Sequence, residues 1–330
     1  MTIPQTMRAA FIRGTGGVEQ IEVGELPVPR PGPTDVLVRM EASAVNHVDL
    51  FVRSGAYRTH TPFPFVIGRD LVGTVIETGP GVASFDVGER VWCNSLGHHG
   101  RQGAFAEYAV VAEDRLYPLP VGVELKEVVS VLHTAATAHI GLVREAGLEA
   151  GETVFVEGGG GGVGSAVVQL ARAAGAQVIA TAAPEDQAWV DELGVQAVFD
   201  YHLKDVYARV REAAHDGIDV WWDTSGHNDF AQCLPLLAMG GRAVIMAGLQ
   251  GQNPSLPVGD MYTRDVTLCG FAISNASTAD LARAAASINR LLTSRKLKTR
   301  VGATFHLADA AKAHMAMASG SVKGRIVVVP

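Results

Sequence analysis

The chain has 330 residues, of which 48% are hydrophobic and 18% are charged, so it can bury a sizeable core and is neither disordered nor fibrous. Its 27 basic and 34 acidic residues leave a formal net charge of −7, which disfavours nucleic acid and anionic lipid as partners and favours a small-molecule ligand. At about 150 residues per domain, this length predicts two domains.

The cysteines and the amino terminus indicate the compartment. Cys93, Cys233 and Cys269 lie far apart and are odd in number, which is typical of free thiols in a reducing environment. The first 17 residues lack the apolar segment of a signal peptide, and no apolar run is long enough for a membrane span. We therefore expect a cytoplasmic protein with no membrane partner.

Short β-rich runs separated by turn residues occupy the first 125 residues. Residues 9–12, 36–40 and 108–111 are such runs, and prolines and glycines such as Pro31 and Gly32 lie between them. The pattern predicts a mostly β region.

From about Leu125 onward, Ala-rich helical stretches alternate with short apolar runs, which is typical of βαβ units. The pattern predicts six strands, at residues 153–156, 177–181, 197–199, 218–222, 243–247 and 266–271. Six strands connected by helices suit a doubly wound parallel sheet.

A helix and a last strand follow the sixth predicted strand. Ser277 and Asp280 form a capping-box pattern, and apolar residues then recur at spacings of three and four from Leu281 to Leu292. Residues 323–329 predict a strand that rejoins the amino-terminal β region.

A glycine-rich turn at residues 158–164 carries the most functional information. Gly159, Gly161 and Gly164 have the G-x-G-x-x-G spacing, with an apolar strand directly before them and an amphipathic helix directly after. A flexible linker would be polar and would not occupy this position. Glycines allow a pyrophosphate to approach the start of a helix, so we expect Gly161, Gly162 and Val163 to surround one.

The end of the second strand of this sheet indicates the choice of cofactor. An acid here would bind the ribose 2′-hydroxyl of NAD, but Thr181, Ala182 and Ala183 occupy the position and no carboxylate occurs before Glu185. The sequence therefore favours NADPH.

The 2′-phosphate of NADPH needs hydrogen-bond donors nearby. No Lys or Arg occurs between residues 172 and 204, so we expect the hydroxyls of Thr181 and Tyr201 to bind this phosphate.

Two further segments belong to the cofactor site. Ligands of open α/β sheets lie beyond the carboxyl ends of the strands. We therefore expect Gly248 and Leu249, after the fifth strand, and Phe271, Ala272 and Ile273, after the sixth, to border the nicotinamide.

Residues 44–57, which read Ala-Val-Asn-His-Val-Asp-Leu-Phe-Val-Arg-Ser-Gly-Ala-Tyr, resemble the medium-chain dehydrogenase/reductase superfamily, specifically its zinc-independent quinone oxidoreductase branch. Residues 68–75, 87–91 and 103–108 resemble the same superfamily. The resemblance covers positions 7–330 and implies a GroES-like, mostly β catalytic domain, formed by residues 1–125 and 274–330, together with a Rossmann domain at residues 126–273.

Three polar residues are candidates for the site. The resemblance places Asn46 in the cleft, where its amide can donate to the nicotinamide ribose or to the developing oxyanion. Tyr57 is the only phenol between residues 46 and 69, and a phenol can bind a quinone oxygen or donate a proton. The resemblance also places a threonine near the nicotinamide. Thr137 would lie near the nicotinamide, with Thr134 as the alternate if the register is shifted. The competing interpretations are a turn-forming Asn, a packing Tyr and a threonine that only packs within its helix.

The pattern of metal ligands departs from that of the zinc enzymes in this superfamily. Asn46 resembles the position of their cysteine ligand, Arg69 replaces the His of their Gly-His-Glu signature, and Cys93 alone remains where they carry a four-cysteine lobe. Neither an amide nor a guanidinium suits zinc, so we expect no metal. We interpret the neighbouring His98 and His99 as a surface loop.

The charged residues of this region bear on catalysis and on the substrate. We interpret Asp49 and Asp70 as structural partners within the catalytic domain. A long acyl substrate would need a basic patch for the phosphate of its carrier, and the sequence offers only Arg53, Arg58 and Arg69 near the cleft.

These observations predict an NADPH-dependent, zinc-independent oxidoreductase that transfers hydride to a quinone or similar conjugated carbonyl acceptor. Without a Lewis acid, alcohol oxidation loses its usual driving group, whereas a conjugated acceptor needs only hydrogen-bond donors and a proton. The alternatives are an enoyl-thioester or enone reductase, and a non-catalytic NADPH-binding or RNA-binding relative.

The sixth strand resembles the edge strand that joins two subunits in this superfamily, so we expect a homodimer.

Overall fold

The structure is a computed structural model that describes residues 3–249, 251 and 253–330. The strands are β1 (Thr6–Ile12), β2 (Glu22–Pro27), β3 (Asp35–Ala44), β4 (Phe65–Val66), β5 (Leu71–Thr78), β6 (Arg90–Cys93), β7 (Tyr108–Ala112), β8 (Tyr117–Pro118), β9 (Thr153–Glu157), β10 (Gln177–Ala182), β11 (Ala197–Asp200), β12 (Ile218–Asp223), β13 (Leu237–Ile245), β14 (Thr267–Gly270), β15 (Val301–His306) and β16 (Arg325–Val329). The α-helices are α1 (His47–Ser54), α2 (Leu125–His139), α3 (Gly162–Ala173), α4 (Gln187–Glu192), α5 (Val206–Ala213), α6 (Phe230–Cys233), α7 (Val258–Tyr262), α8 (Thr278–Thr293) and α9 (Ala310–Ser319).

The chain divides into two compact units. The first unit comprises Met1–His133, Ser277–Arg295 and Thr299–Pro330, and the second comprises Thr134–Ala276 and Lys296–Lys298. The sequence pattern predicts boundaries at residues 125/126 and 273/274, whereas the units divide at 133/134 and 276/277.

The first unit is mostly β. Its larger sheet has the order β15-β16-β3-β5-β6-β8, with β7 also paired to β3, and its smaller sheet has the order β2-β1-β4. The carboxyl-terminal strand β16 pairs antiparallel with β3, with Val327 opposite Ala44, so the predicted return of the chain to the amino-terminal β region is confirmed. Apolar side chains from both ends of the sequence therefore fill one core.

The second unit contains a parallel sheet with the order β11-β10-β9-β12-β13-β14. The strand order reverses between β9 and β12, and such a reversal leaves a crevice outside the carboxyl ends of the strands. The prediction of a Rossmann-type parallel sheet in one unit and a mostly β domain in the other is confirmed.

The fifth strand of this sheet differs from its predicted bounds. It begins at Leu237, earlier than predicted, and ends at Ile245, before Ala247. Its pairing with β12 shifts register between Ile218 and Val220. A bulge of this kind lengthens one strand relative to its partner, which the apolar pattern alone does not reveal.

The predicted capping box begins α8. The Ser277 side chain accepts a hydrogen bond of 3.1 Å from the Asp280 backbone N–H, and the Asp280 carboxylate accepts one of 3.4 Å from the Ser277 N–H. The helix has 16 residues. Within the described part of the chain, no helix is both long and apolar enough to cross a membrane.

Candidate active site

Asn46 is the centre of a buried polar network in the first unit. It lies at the amino end of α1, and its side-chain amide donates to the Asp70 carboxylate at 2.9 Å. The amide oxygen accepts from the Arg325 guanidinium at 2.5 Å, and the backbone N–H donates to the Asp49 carboxylate at 2.8 Å. The Asn46 side chain also interacts with the Asp49 carboxylate, so the amide contacts both buried acids.

The two acids of this network are fully enclosed. Burial raises the pKa of Asp70 to about 8, against the lowering effect of the Asn46 hydrogen bond and of Arg325 and Arg69. Burial likewise raises the pKa of Asp49 to about 6, with Arg69 as the strongest opposing charge. The interpretation of Asp49 and Asp70 as structural partners agrees with these contacts.

Arg325 connects the last strand to this network. Its guanidinium donates to the Asn46 amide, to the Val45 carbonyl at 3.1 Å and to the Ser130 carbonyl at 2.8 Å. No role for Arg325 was predicted from the sequence. The sequence pattern could have identified it, because Arg325 begins an otherwise apolar run at residues 325–329 and a charge in such a run needs a buried partner.

Arg69 is buried close to the same acids but is bonded differently. It follows Gly68, whose φ of +96° and contact with the Phe105 ring both exclude a side chain at position 68. Arg69 is 2% exposed, and its Nε and Nη2 atoms are buried and have no hydrogen-bond partner among the described residues. Burial lowers the pKa of the guanidinium, while Asp49, Tyr57 and Asp70 counteract this effect.

Tyr57 and His98 form an aromatic pair that interacts electrostatically with Arg69. Their ring centroids are 5.6 Å apart, and Tyr57 is half-buried whereas His98 is buried. The interpretation of His98 as part of a surface loop is therefore wrong, although His99 is exposed. Burial, followed by the charge of Arg69, lowers the pKa of His98 to about 3, so its imidazole is neutral at physiological pH.

The glycine-rich turn of the second unit joins β9 to α3. A Cβ atom on Gly164 would lie 2.1 Å from the Gly158 carbonyl oxygen, so only glycine allows the strand and helix to approach this closely. A Cβ atom on Gly161 would meet nothing nearer than 3.4 Å, which leaves that side of the turn open to a ligand. The first N–H groups of a helix point outward without intrahelical partners, so this turn fits a pyrophosphate.

Thr181 stabilises this turn. Its hydroxyl oxygen accepts from the Gly158 N–H at 3.2 Å, and its carbonyl accepts from the Gly159 N–H at 2.8 Å. Thr181 is buried, whereas Tyr201, which follows the neighbouring strand β11, is 49% exposed. Both residues lie at the carboxyl ends of adjacent strands, as the sequence predicts.

The other predicted cofactor residues occupy two loops and a helix. Gly248 has a φ of +113° directly after β13, and the adjacent Leu249 is exposed. The segment Phe271, Ala272 and Ile273 is half-buried after β14. Thr134 and Thr137 are both buried in α2.

Glu157, the last residue of β9, was not identified from the sequence. Its carboxylate accepts hydrogen bonds from the Tyr207 hydroxyl at 2.8 Å and from the Trp221 indole at 2.7 Å. Burial, reinforced by Asp223, raises the pKa of Glu157 to about 7. Glu157 ends an apolar strand directly before the glycine turn, and this position could have identified it from the sequence.

Among the described residues, no three His, Cys, Asp or Glu side chains are grouped so that they could hold a metal ion. The first unit instead presents an amide, two guanidiniums, a phenol and a neutral imidazole. Such groups bind and stabilise an oxygen atom by hydrogen bonding and charge.

Two family models match the chain. The model described as "Alcohol dehydrogenase GroES-like domain" matches residues 32–121, and that described as "Zinc-binding dehydrogenase" matches residues 162–290. The quinone oxidoreductase of Mus musculus is 30% identical over 329 residues, which covers 98% of each chain.

Solved structures show the same relationship. A mycobacterial protein complexed with NADPH shares 30% identity, with a TM-score of 0.86 over 98% of this chain and 100% of that one. A structure described as an NAD-dependent alcohol dehydrogenase shares 33% identity, with a TM-score of 0.90 and the same coverage. The chain therefore belongs to the medium-chain dehydrogenase/reductase superfamily, in its quinone oxidoreductase branch. It is an oxidoreductase enzyme of a nicotinamide-dinucleotide-binding family that acts on a small molecule.

Two substitutions separate the binding role of the turn from its packing role. In Gly161→Ser the new side chain has space at an ordinary φ of −74° and caps α3 favourably, so stability should be maintained. The same side chain should occupy the pyrophosphate position and weaken NADPH binding about tenfold or more. Gly164→Ala should instead destabilise the fold by about 1–3 kcal/mol.

Calorimetric titration with NADPH and thermal unfolding of both variants check these expectations. A Gly161→Ser protein that binds NADPH as tightly as the wild type would show that the pyrophosphate does not approach this position.

Proposed function

We propose that the enzyme transfers hydride from NADPH to a quinone or a similar conjugated carbonyl acceptor without a zinc ion. The observation that carries the proposal is the chemistry of Asn46 and Arg69. These two residues occupy positions that resemble those of the metal ligands in the zinc enzymes. The amide of Asn46 is bonded to Asp70 and Arg325, and Arg69 is a cation. Neither group offers zinc a ligand, but both can stabilise negative charge on an oxygen.

The second unit supplies the groups that would hold the dinucleotide. Gly159, Gly161, Gly162 and Val163 form the open side of the turn and the start of α3, where a pyrophosphate meets N–H groups and the positive end of the helix dipole. Thr137, the loop at Gly248 and Leu249, and the segment Phe271 to Ile273 would border the nicotinamide. NADPH, when bound, supplies the hydride.

Two observations support NADPH rather than NADH. Residues 181–183 present a threonine and two alanines at the end of β10, so no carboxylate at these positions would repel a 2′-phosphate. A structural relative of 30% identity has been obtained as an NADPH complex. The exposed phenol of Tyr201 would donate to the 2′-phosphate, and the Thr181 hydroxyl has one hydrogen left to donate.

Tyr57 and Asn46 are the proposed catalytic groups of the first unit. The Tyr57 phenol would donate a hydrogen bond or a proton to the acceptor oxygen, because it is half-buried beside a buried cation. The Asn46 amide would donate to the nicotinamide ribose or to the developing oxyanion.

A quinone or other small acceptor fits the first unit better than a carrier-bound acyl thioester. A phosphopantetheine or CoA phosphate needs an accessible basic patch. Of the three arginines near this region, Arg53 and Arg69 are buried and only Arg58 is exposed. A single exposed arginine makes a weak phosphate site.

We also propose that the enzyme is a homodimer joined through β14. This strand ends the parallel sheet and pairs only with β13 among the described strands, which leaves its outer edge available to a second copy. Analytical ultracentrifugation should show two chains per particle, and a particle of one chain would contradict the proposal.

A panel assay tests the proposed reaction. NADPH oxidation should be fast with quinones, slower with simple enones and slowest with enoyl thioesters, and NADPH should exceed NADH about tenfold in kcat/KM. Activity should persist after incubation with a chelator. Turnover confined to enoyl thioesters would contradict the acceptor class, equal use of NADH would contradict the cofactor, and stoichiometric zinc whose removal abolishes activity would contradict zinc independence.

The substitution Tyr57→Phe tests the role of the phenol. It keeps the ring but removes one donor from a place where charge develops, so kcat/KM should fall roughly 5- to 150-fold, equivalent to about 1–3 kcal/mol, with little change in stability. The exposed Tyr262 provides the control, since Tyr262→Phe should change neither quantity. A Tyr57→Phe enzyme within about twofold of the wild type would leave Tyr57 with a packing role only.

A further inference from the structure

We propose that Arg69 binds the carbonyl oxygen of the acceptor and stabilises the negative charge that develops there. This inference rests on the proposed reduction of a conjugated carbonyl and names the residue that would recognise its oxygen.

The first observation is the unusual burial of this cation. Arg69 is 2% exposed, yet its Nε and Nη2 atoms have no hydrogen-bond partner among the described residues. An enclosed guanidinium without bonded partners is costly, so a structure that retains one usually has a ligand for it.

The second observation is the contrast with Arg325, the other buried arginine of the network. Arg325 donates to one side-chain amide and two backbone carbonyls, so its guanidinium is committed to holding the last strand against the rest of the unit. Arg69 makes no such side-chain bond. The acids Asp49 and Asp70 accept hydrogen bonds from Asn46, and they offset only part of the effect of burial on Arg69.

The third observation is the set of groups around the guanidinium. Tyr57 and His98 form an aromatic pair with ring centroids 5.6 Å apart, and electrostatic interactions link both residues to Arg69. His98 is neutral, and its Nδ1 atom also lacks a hydrogen-bond partner among the described residues. A phenol, a guanidinium and a neutral imidazole together form a site that donates hydrogen bonds, which suits an oxygen that becomes anionic.

The chemistry of the reaction places negative charge on such an oxygen. Addition of a hydride to the conjugated system forms one C–H bond and moves an electron pair through the system onto the carbonyl oxygen. The acceptor is reduced to an enolate as the dinucleotide is oxidised. A proton from solvent then neutralises the anion, and tautomerisation completes the hydroquinone when the acceptor is a quinone. A fixed guanidinium stabilises the anion more than the neutral carbonyl, which is the condition for catalysis.

A coloured phenol provides a direct test without turnover. The ionised form of para-nitrophenol resembles the hydroquinone anion, and the absorbance of this probe reports whether its hydroxyl is ionised. Beside a buried cation its pKa should fall by about one unit or more on binding. We expect this shift in the wild type and its loss in Arg69→Met, together with weaker phenolate binding and a fall in kcat of about 100- to 1,000-fold.

Two further variants serve as controls. Arg53→Met removes another buried arginine of the same unit, whose Nε also has no partner among the described residues and whose charge interacts with Glu19, and it should leave the probe shift unchanged. Arg69→Lys keeps the charge but loses the planar fork, so it should retain most of the shift and lose about 10- to 100-fold in kcat. This variant decides the question if Arg69→Met fails to fold, because an unchanged kcat in Arg69→Lys would overturn the proposal.

The results distinguish this inference from the proposed function. A probe shift that is absent in the wild type, or that survives in Arg69→Met, overturns the role of Arg69 even when quinones are reduced. A shift that depends on Arg69 in an enzyme that reduces no quinone supports the oxygen site and overturns the acceptor class instead.

Discussion

The hydrogen bonds of Asn46 hold together segments that are far apart in the sequence. Asp49 lies in the following helix turn, Asp70 lies 24 residues away and Arg325 lies 279 residues away, yet all three bond to this one residue. Each charge is enclosed, so each depends on the others for compensation. Removing one partner of a buried pair typically costs about 3–5 kcal/mol, and the network therefore constrains how the last strand and the first helix pack.

The same network explains how two arginines in one core come to have different roles. Arg325 has its hydrogen bonds provided by backbone carbonyls and the Asn46 amide, and it acts as a structural connection. Gly68 leaves no room for a side chain next to the Phe105 ring, and the Arg69 that follows it is buried with its Nε and Nη2 atoms unbonded among the described residues. These unbonded atoms of Arg69 are the ones that we propose to bind the acceptor oxygen.

The second unit is constrained by close approach of backbone atoms. Gly164 allows the start of α3 to contact the Gly158 carbonyl, and Thr181 bonds to the turn from the neighbouring strand. Ser165 adds a further bond, because its hydroxyl donates to the Gly159 carbonyl at 2.9 Å. The turn is thus rigid before a dinucleotide binds, which lowers the entropy lost on binding. Glu157 anchors the preceding strand through Tyr207 and Trp221.

The sequence by itself determined the features that depend on neighbours along the chain. The glycine spacing at 159–164, the capping box at Ser277 and the periodicity of the parallel strands are local patterns, because turns, helix ends and strands are formed by consecutive residues. The family resemblance added the catalytic domain and the place of Asn46 in it, whereas the candidate role of Tyr57 followed from its being the only phenol between residues 46 and 69. Only the tertiary structure decided that His98 is enclosed, that Arg325 bonds to Asn46 and that Arg69 is buried without bonded partners. Burial and charge compensation depend on side chains brought together from distant segments, and no local pattern of residues specifies which of them meet.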